Sequence, residues 1–81
     1  MTLARRALES AKITQNGLAH AIGVSVRQVN EWANGRSEPN VACRVILSEI
    51  VDGEPGALLL ARLDEGRALW PDRRKLRAPR G

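Results

Sequence analysis

The sequence has little of what stabilises small proteins covalently or through a metal. Its 81 residues contain a single cysteine, Cys43, and a single histidine, His20. One cysteine cannot form an internal disulfide, and one cysteine with one histidine cannot complete a closed zinc site. We expect Cys43 to be a small packing residue and His20 an exposed surface residue without a role in metal binding. A core of this size is marginally stable, so packing between two copies of the chain is expected to add stability.

Features of exported proteins, membrane proteins and enzymes are also missing. The sequence has no run of about 18 apolar residues and no charged-then-apolar leader, which predicts a cytoplasmic protein without membrane association. No nucleophile stands with a base, and no set of metal ligands recurs at helical spacing. The sequence therefore predicts a non-enzyme that needs no cofactor and binds no small-molecule ligand.

The net charge of +4 is unevenly distributed. Basic residues outnumber acidic ones in residues 1–36 and 71–81, whereas acidic residues prevail in residues 37–70. A basic front half and a basic tail suit a polyanion such as double-stranded DNA. Charge alone fits a well-solvated protein of high pI equally well, so the function has to be inferred from motifs.

Apolar spacing and capping residues predict an all-α chain with five helices. Residues 1–70 are expected to form one compact bundle, and residues 71–81 a flexible basic tail. Pro55 suits the first turn of the fifth helix, which is expected to run to about Leu69. The predicted caps of the first four helices are Thr2, Thr14, Ser25 and Asn40. The predicted inward stripe of the fourth helix is Val41, Ala42, Val45, Ile46 and Ile50.

Residues 14–35 have the layout of a helix-turn-helix. A short helix ends at Gly23, and a second helix, from Val26 to Asn34, follows after a tight turn. Ser25 and Gln28 have the spacing of a capping box. In such a unit the first helix braces across the DNA backbone and the second enters the major groove, which is about 12 Å wide. A generic helical hairpin has similar spacing, so the residue types must distinguish the two.

The residue types resemble the Cro/repressor family of helix-turn-helix regulators, also called the Xre family. The residues that carry the resemblance are Thr14-Gln15, Leu18-Ala19, Gly23-Val24-Ser25, Val29, Trp32, Asn34-Gly35 and Pro39. The resemblance implies a lambda-repressor-like five-helix domain that binds operator DNA as a two-fold dimer. Small single-domain members include phage repressors, restriction-modification controller proteins and regulators of mobile elements.

Two departures from the family pattern have structural consequences. Gly17 stands where many members have glutamate or another helix former, and glycine inside a helix costs about 1 kcal/mol relative to alanine. Leu8 and Ala33 stand where many members have a buried Arg–Glu pair. Replacing both partners by apolar groups can be neutral or stabilising, so the domain is expected to fold without that pair.

The outward face of the second helix of the motif is predicted to read bases. Arg27 suits guanine, Asn30 or Gln28 suits adenine, and Val26 suits the thymine methyl group. Glu31 suits cytosine N4 or a pairing with Arg27. The predicted phosphate contacts, from family position and helix N-termini, are Thr14, Gln15, Ser25, Asn34 and Arg36.

The fifth helix has more leucine than one small domain can cover. Its predicted dimer interface comprises Leu58, Leu59, Leu60 and Leu63, with the face toward the partner left open. These features predict a homodimeric regulator that binds an inverted-repeat operator and represses or autoregulates transcription, competing with or contacting RNA polymerase. The alternative is an antitoxin-type or antiactivator-type module in which a protein partner comes first and DNA binding is secondary.

Overall fold

The computed structural model describes residues 1–70, which form five helices and contain no strand. The helices are α1 (Leu3–Ala11), α2 (Gln15–Ile22), α3 (Val26–Ala33), α4 (Val41–Asp52) and α5 (Ala57–Leu69). The prediction of an all-α fold is confirmed. The predicted tail, residues 71–81, lies outside the described residues. None of these five helices has the length and apolar content needed to cross a membrane.

The predicted caps of the first four helices are present. In each case the capping side chain accepts a hydrogen bond from the backbone N–H three residues on. The Ser25 box is complete, because Gln28 Oε1 accepts from the Ser25 backbone N–H at 3.2 Å. α5 differs from the prediction: it begins at Ala57, and Pro55 precedes its N-cap, Gly56, rather than lying in its first turn.

The core lies where α1 packs against α3 and α4, and α2 packs against α3 and α5. Its largest fully buried side chains are Leu18, Val29, Leu47 and Leu63. Ala33 is buried and Leu8 packs against the core, so apolar contacts occupy the place of the Arg–Glu pair. The core contains no buried charged residue within residues 1–70.

The predicted inward stripe of α4 is wrong for most of its members. Cys43, Leu47 and Ile50 are the buried residues, whereas Val41 and Val45 are 75% and 54% exposed. α4 has apolar residues on nearly every side, so its hydrophobic pattern fits more than one stripe. The contact with α1 selects the stripe that is buried. Cys43 is confirmed as a packing residue.

The crossing of α2 and α5 explains Gly17. A Cβ atom on Gly17 would lie 2.8 Å from the Gly66 carbonyl oxygen, and a Cβ atom on Gly66 would overlap the Gly17 carbonyl oxygen. The two glycines let the helix backbones approach closely, which no larger residue at either position allows. Gly17 therefore lowers the helix propensity of α2 but allows the close contact between α2 and α5.

Polar side chains of α5 also attach it to the ends of α1 and α2. Arg62 Nε donates to the Ala21 carbonyl at 2.7 Å, and Arg67 Nε donates to the Ala11 carbonyl at 2.8 Å. Each guanidinium satisfies a C-terminal helix carbonyl that has no intrahelical partner.

His20 is half-buried rather than exposed as predicted, and it has a partner that the sequence did not reveal. Its Nε2 is hydrogen-bonded to Glu65 Oε1 across the α2–α5 crossing. This hydrogen bond, together with the charge of the imidazole, holds the pKa of Glu65 below its usual value of 4.5. Because 45 residues separate the pair, only the tertiary fold reveals it.

Candidate nucleic-acid interface

α3 presents one buried face and one exposed face. Val29, Trp32 and Ala33 are buried against the other helices, so the helix is held firmly from one side. The structure brings all five predicted base-reading residues together away from that core. Four of them are exposed and Glu31 is half-buried; the five are Val26, Arg27, Gln28, Asn30 and Glu31.

Arg27 and Glu31 form an ion pair one helical turn apart. Arg27 Nε lies 3.8 Å from Glu31 Oε2, and the Arg27 side chain is 87% exposed. Such exposed pairs contribute little to stability, so the Arg27 guanidinium can leave Glu31 at small cost. Its five donors in a planar fork are suited to the O6 and N7 acceptors of guanine.

Gln28 and Asn30 differ in how much of their hydrogen-bonding capacity is already used. Gln28 Oε1 accepts from the Ser25 backbone N–H and lies 3.4 Å from Ser25 Oγ, so the Gln28 side chain stabilises the N-terminus of α3. Asn30 Nδ2 donates to Gln15 Oε1 at 3.1 Å, and Asn30 Oδ1 accepts from Asn34 Nδ2 at 3.2 Å. These two bonds orient the Asn30 amide and leave it one donor and one acceptor, the pair that adenine requires.

The same hydrogen bonds connect predicted phosphate contacts on two helices. Gln15 begins α2 and Asn34 caps the C-terminus of α3, and Asn30 lies between them. The series of hydrogen bonds extends to α1, because Arg5 Nη2 donates to Asn34 Oδ1 at 3.3 Å. We name these four residues, Arg5, Asn34, Asn30 and Gln15, the polar ridge. Arg5 was missed from the sequence, since no local pattern links it to a residue 29 positions away.

The other predicted phosphate contacts differ in availability. The Thr14 hydroxyl accepts from the Gly17 N–H and donates to the Trp70 carbonyl at 3.1 Å, so its one proton is already in use. Ser25 Oγ accepts from the Gln28 N–H at 3.1 Å. Arg36 is exposed just beyond the end of α3.

The structure corrects one residue of the predicted dimer interface. Leu63 is only 1% exposed and belongs to the core of its own domain, so it cannot face a partner. Leu59 is half-buried, whereas Leu58 and Leu60 are 86% and 46% exposed. Leu58 and Leu59 line an open apolar groove of about 560 Å³ with residues of α2 and α4, among them Ile46.

Comparison with known proteins identifies the helix-turn-helix. Residues 5–42 match a family model described as helix-turn-helix. The match runs from α1 through both helices of the motif into the first turn of α4. No significant match was found among curated proteins or among solved structures.

Proposed function

We propose that this chain, a helix-turn-helix protein of the Cro/C1 type over residues 5–42, represses or autoregulates transcription as a homodimer on an inverted-repeat operator. The observation that carries this proposal is the exposed face of α3, held from behind by buried residues and carrying groups that match base edges. In this proposal Arg27 reads guanine and Asn30 reads adenine. The chain acts without a cofactor.

The phosphate contacts in this proposal come from both ends of the motif. Gln15 and Asn34 lie on the polar ridge, and Arg36 extends beyond α3. Contacts of this kind set the register of the protein on the duplex without specifying sequence, which leaves specificity to α3. Ser25 and Thr14 contribute chiefly as helix caps, since their hydroxyls already hold the starts of α3 and α2.

Dimerisation in this proposal uses the N-terminal half of α5. Leu58, which is 86% exposed, lines part of the same groove as Leu59 and Ile46 and extends from its rim. A two-fold contact is isologous, so a protruding side chain next to an apolar groove is self-complementary. Such a dimer would place two reading helices about 34 Å apart, in successive major grooves.

The test begins with selection of DNA by the full-length protein from a pool of random duplexes. We expect enrichment of two inverted half-sites whose centres are about ten base pairs apart. Footprinting on DNA upstream of the protein's own gene then tests autoregulation. A pool that shows no sequence enrichment, although the protein is folded, would refute sequence-specific regulation.

A second candidate function is an antitoxin-type or antiactivator-type module that binds another protein first. The observation that favours it is the apolar outer surface of α4, where Val41 and Val45 are both exposed. Exposed apolar patches mark interaction sites when they are contiguous. Val45→Glu separates the candidates: it should leave the selected DNA sequence unchanged and should abolish repression only if a protein contact on α4 is required.

A further inference from the structure

The first turn of α1 is fixed to the end of the reading helix. The Thr2 hydroxyl donates to the Ala33 carbonyl at 3.0 Å and accepts from the Arg5 backbone N–H at 3.2 Å. One side chain thus caps the start of α1 and bonds to the last turn of α3. The position of the Arg5 backbone relative to α3 is therefore set by the fold.

The Arg5 side chain extends from this fixed point onto the polar ridge. It is exposed, and its contact with Asn34 Oδ1 is a charged donor on a neutral acceptor. Within residues 1–70, no carboxylate lies within ion-pair distance of Arg5, in contrast to Arg27, Arg44 and Arg67. No carboxylate of residues 1–70 thus compensates the charge of Arg5, which lies at the end of a row that contains two predicted phosphate contacts.

We infer that Arg5 is a phosphate-binding residue of the DNA interface, so that three helices rather than two hold the DNA backbone. The inference rests on the proposed function, because it assumes that α3 enters the major groove. Asn34 orients the guanidinium in the free protein, and the remaining donors of that group bind the phosphate adjoining the one that Asn34 contacts. Arginine suits this role because its donors form a planar fork that matches phosphate oxygens.

The experiment compares Arg5→Gln with Arg6→Gln on the duplex that the selection enriches. Arg6 is exposed on the same helix and carries the same charge, but no hydrogen bond in residues 1–70 joins it to α3. Neutralising a phosphate contact should reduce the slope of log K against log salt by about 0.9 per bound subunit. We expect that reduction for Arg5→Gln and a clearly smaller one for Arg6→Gln. Arg5→Lys should restore most of the wild-type slope.

A purely structural role for Arg5 makes a different prediction. It would lower the thermal midpoint and the affinity of Arg5→Gln and leave the salt slope at the wild-type value. That result, or equal slopes for the two glutamine variants, overturns the inference and leaves the proposed function intact. If the selection yields no enriched duplex, the proposed function itself fails and the inference fails with it.

Discussion

At the scale of single residues, the reading face combines groups that are free with groups that are already oriented. Within residues 1–70, the Arg27 side chain is held only by an exposed ion pair to Glu31, whereas Asn30 is fixed by bonds to Gln15 and Asn34. A mobile guanidinium can adjust to a base step, and a fixed amide presents one donor and one acceptor without further ordering. In the proposed mechanism the two residues therefore contribute to specificity in different ways.

Arg27→Ala should relax discrimination at one base pair in each half-site and cost about 1–3 kcal/mol there, because a bidentate base contact is lost. The fold should be unaffected, since the side chain is 87% exposed. Competition titrations with operators altered at single positions measure the effect. Arg6→Ala is the control, and it should leave the preference among operators unchanged. Unaltered preference in a folded Arg27→Ala protein would assign base reading to other residues.

Glu65 gives the fold a dependence on pH through its bond to His20. Since its pKa is lower in the folded state than its usual value of 4.5, the carboxylate stabilises the fold above that value and loses this contribution as the pH falls through the folded pKa. Glu65→Gln should reduce stability at neutral pH and flatten the decline below about pH 4.5. Urea unfolding over a pH series tests this, with Glu49→Gln as the control. Parallel curves for wild type and Glu65→Gln would contradict it.

At the scale of helices, the features that depend on neighbouring residues are the ones that the sequence predicted correctly. The caps Thr2, Thr14, Ser25 and Asn40 act within three residues of their own positions, so each was found. The buried stripe of α4 was not, because apolar residues surround that helix and only its contact with α1 selects among them.

Contacts between distant helices were likewise out of reach of the sequence. The Arg5–Asn34 bond and the His20–Glu65 pair join residues 29 and 45 positions apart. Leu63 was predicted to lie in a dimer interface, although it is buried in the core of its own domain. A periodic pattern predicts which face of a helix is apolar, but it does not predict which other helix packs against that face.

The α2–α5 crossing gives a prediction that reverses ordinary helix propensity. Gly66→Ala should raise the stability of an isolated helix by about 1 kcal/mol, but here it should destabilise the protein by about 1–3 kcal/mol, because the new methyl group meets the Gly17 carbonyl. Ala61→Gly, at an exposed position inside the same helix, is the control for helix propensity, and it should cost about 1 kcal/mol. Thermal unfolding of both variants provides the comparison. A Gly66→Ala protein as stable as wild type would mean that the helices separate without penalty.

At the scale of the whole molecule, DNA affinity in the proposed mechanism depends on pairing two domains that each bind weakly. Leu58→Glu should yield monomers and lose most operator affinity while the domain stays folded, since Leu58 is 86% exposed and contributes little to its own core. Leu69→Glu, at the other end of α5, should remain dimeric. Sedimentation and operator titration measure both properties. If Leu58→Glu dimerises with the same affinity as the wild-type protein, this face is not the interface.

The hydrogen bonds from α5 to the rest of the domain determine when the fold can be completed during synthesis of the chain. The helix-turn-helix is contiguous, yet the carbonyl ends of α1 and α2 receive Arg67 and Arg62 only after most of α5 has been made. Leu63 completes the core equally late. The helix-turn-helix therefore reaches its final form only once α5 has been synthesised, and a chain interrupted after residue 42 would contain the motif without the helix that stabilises it.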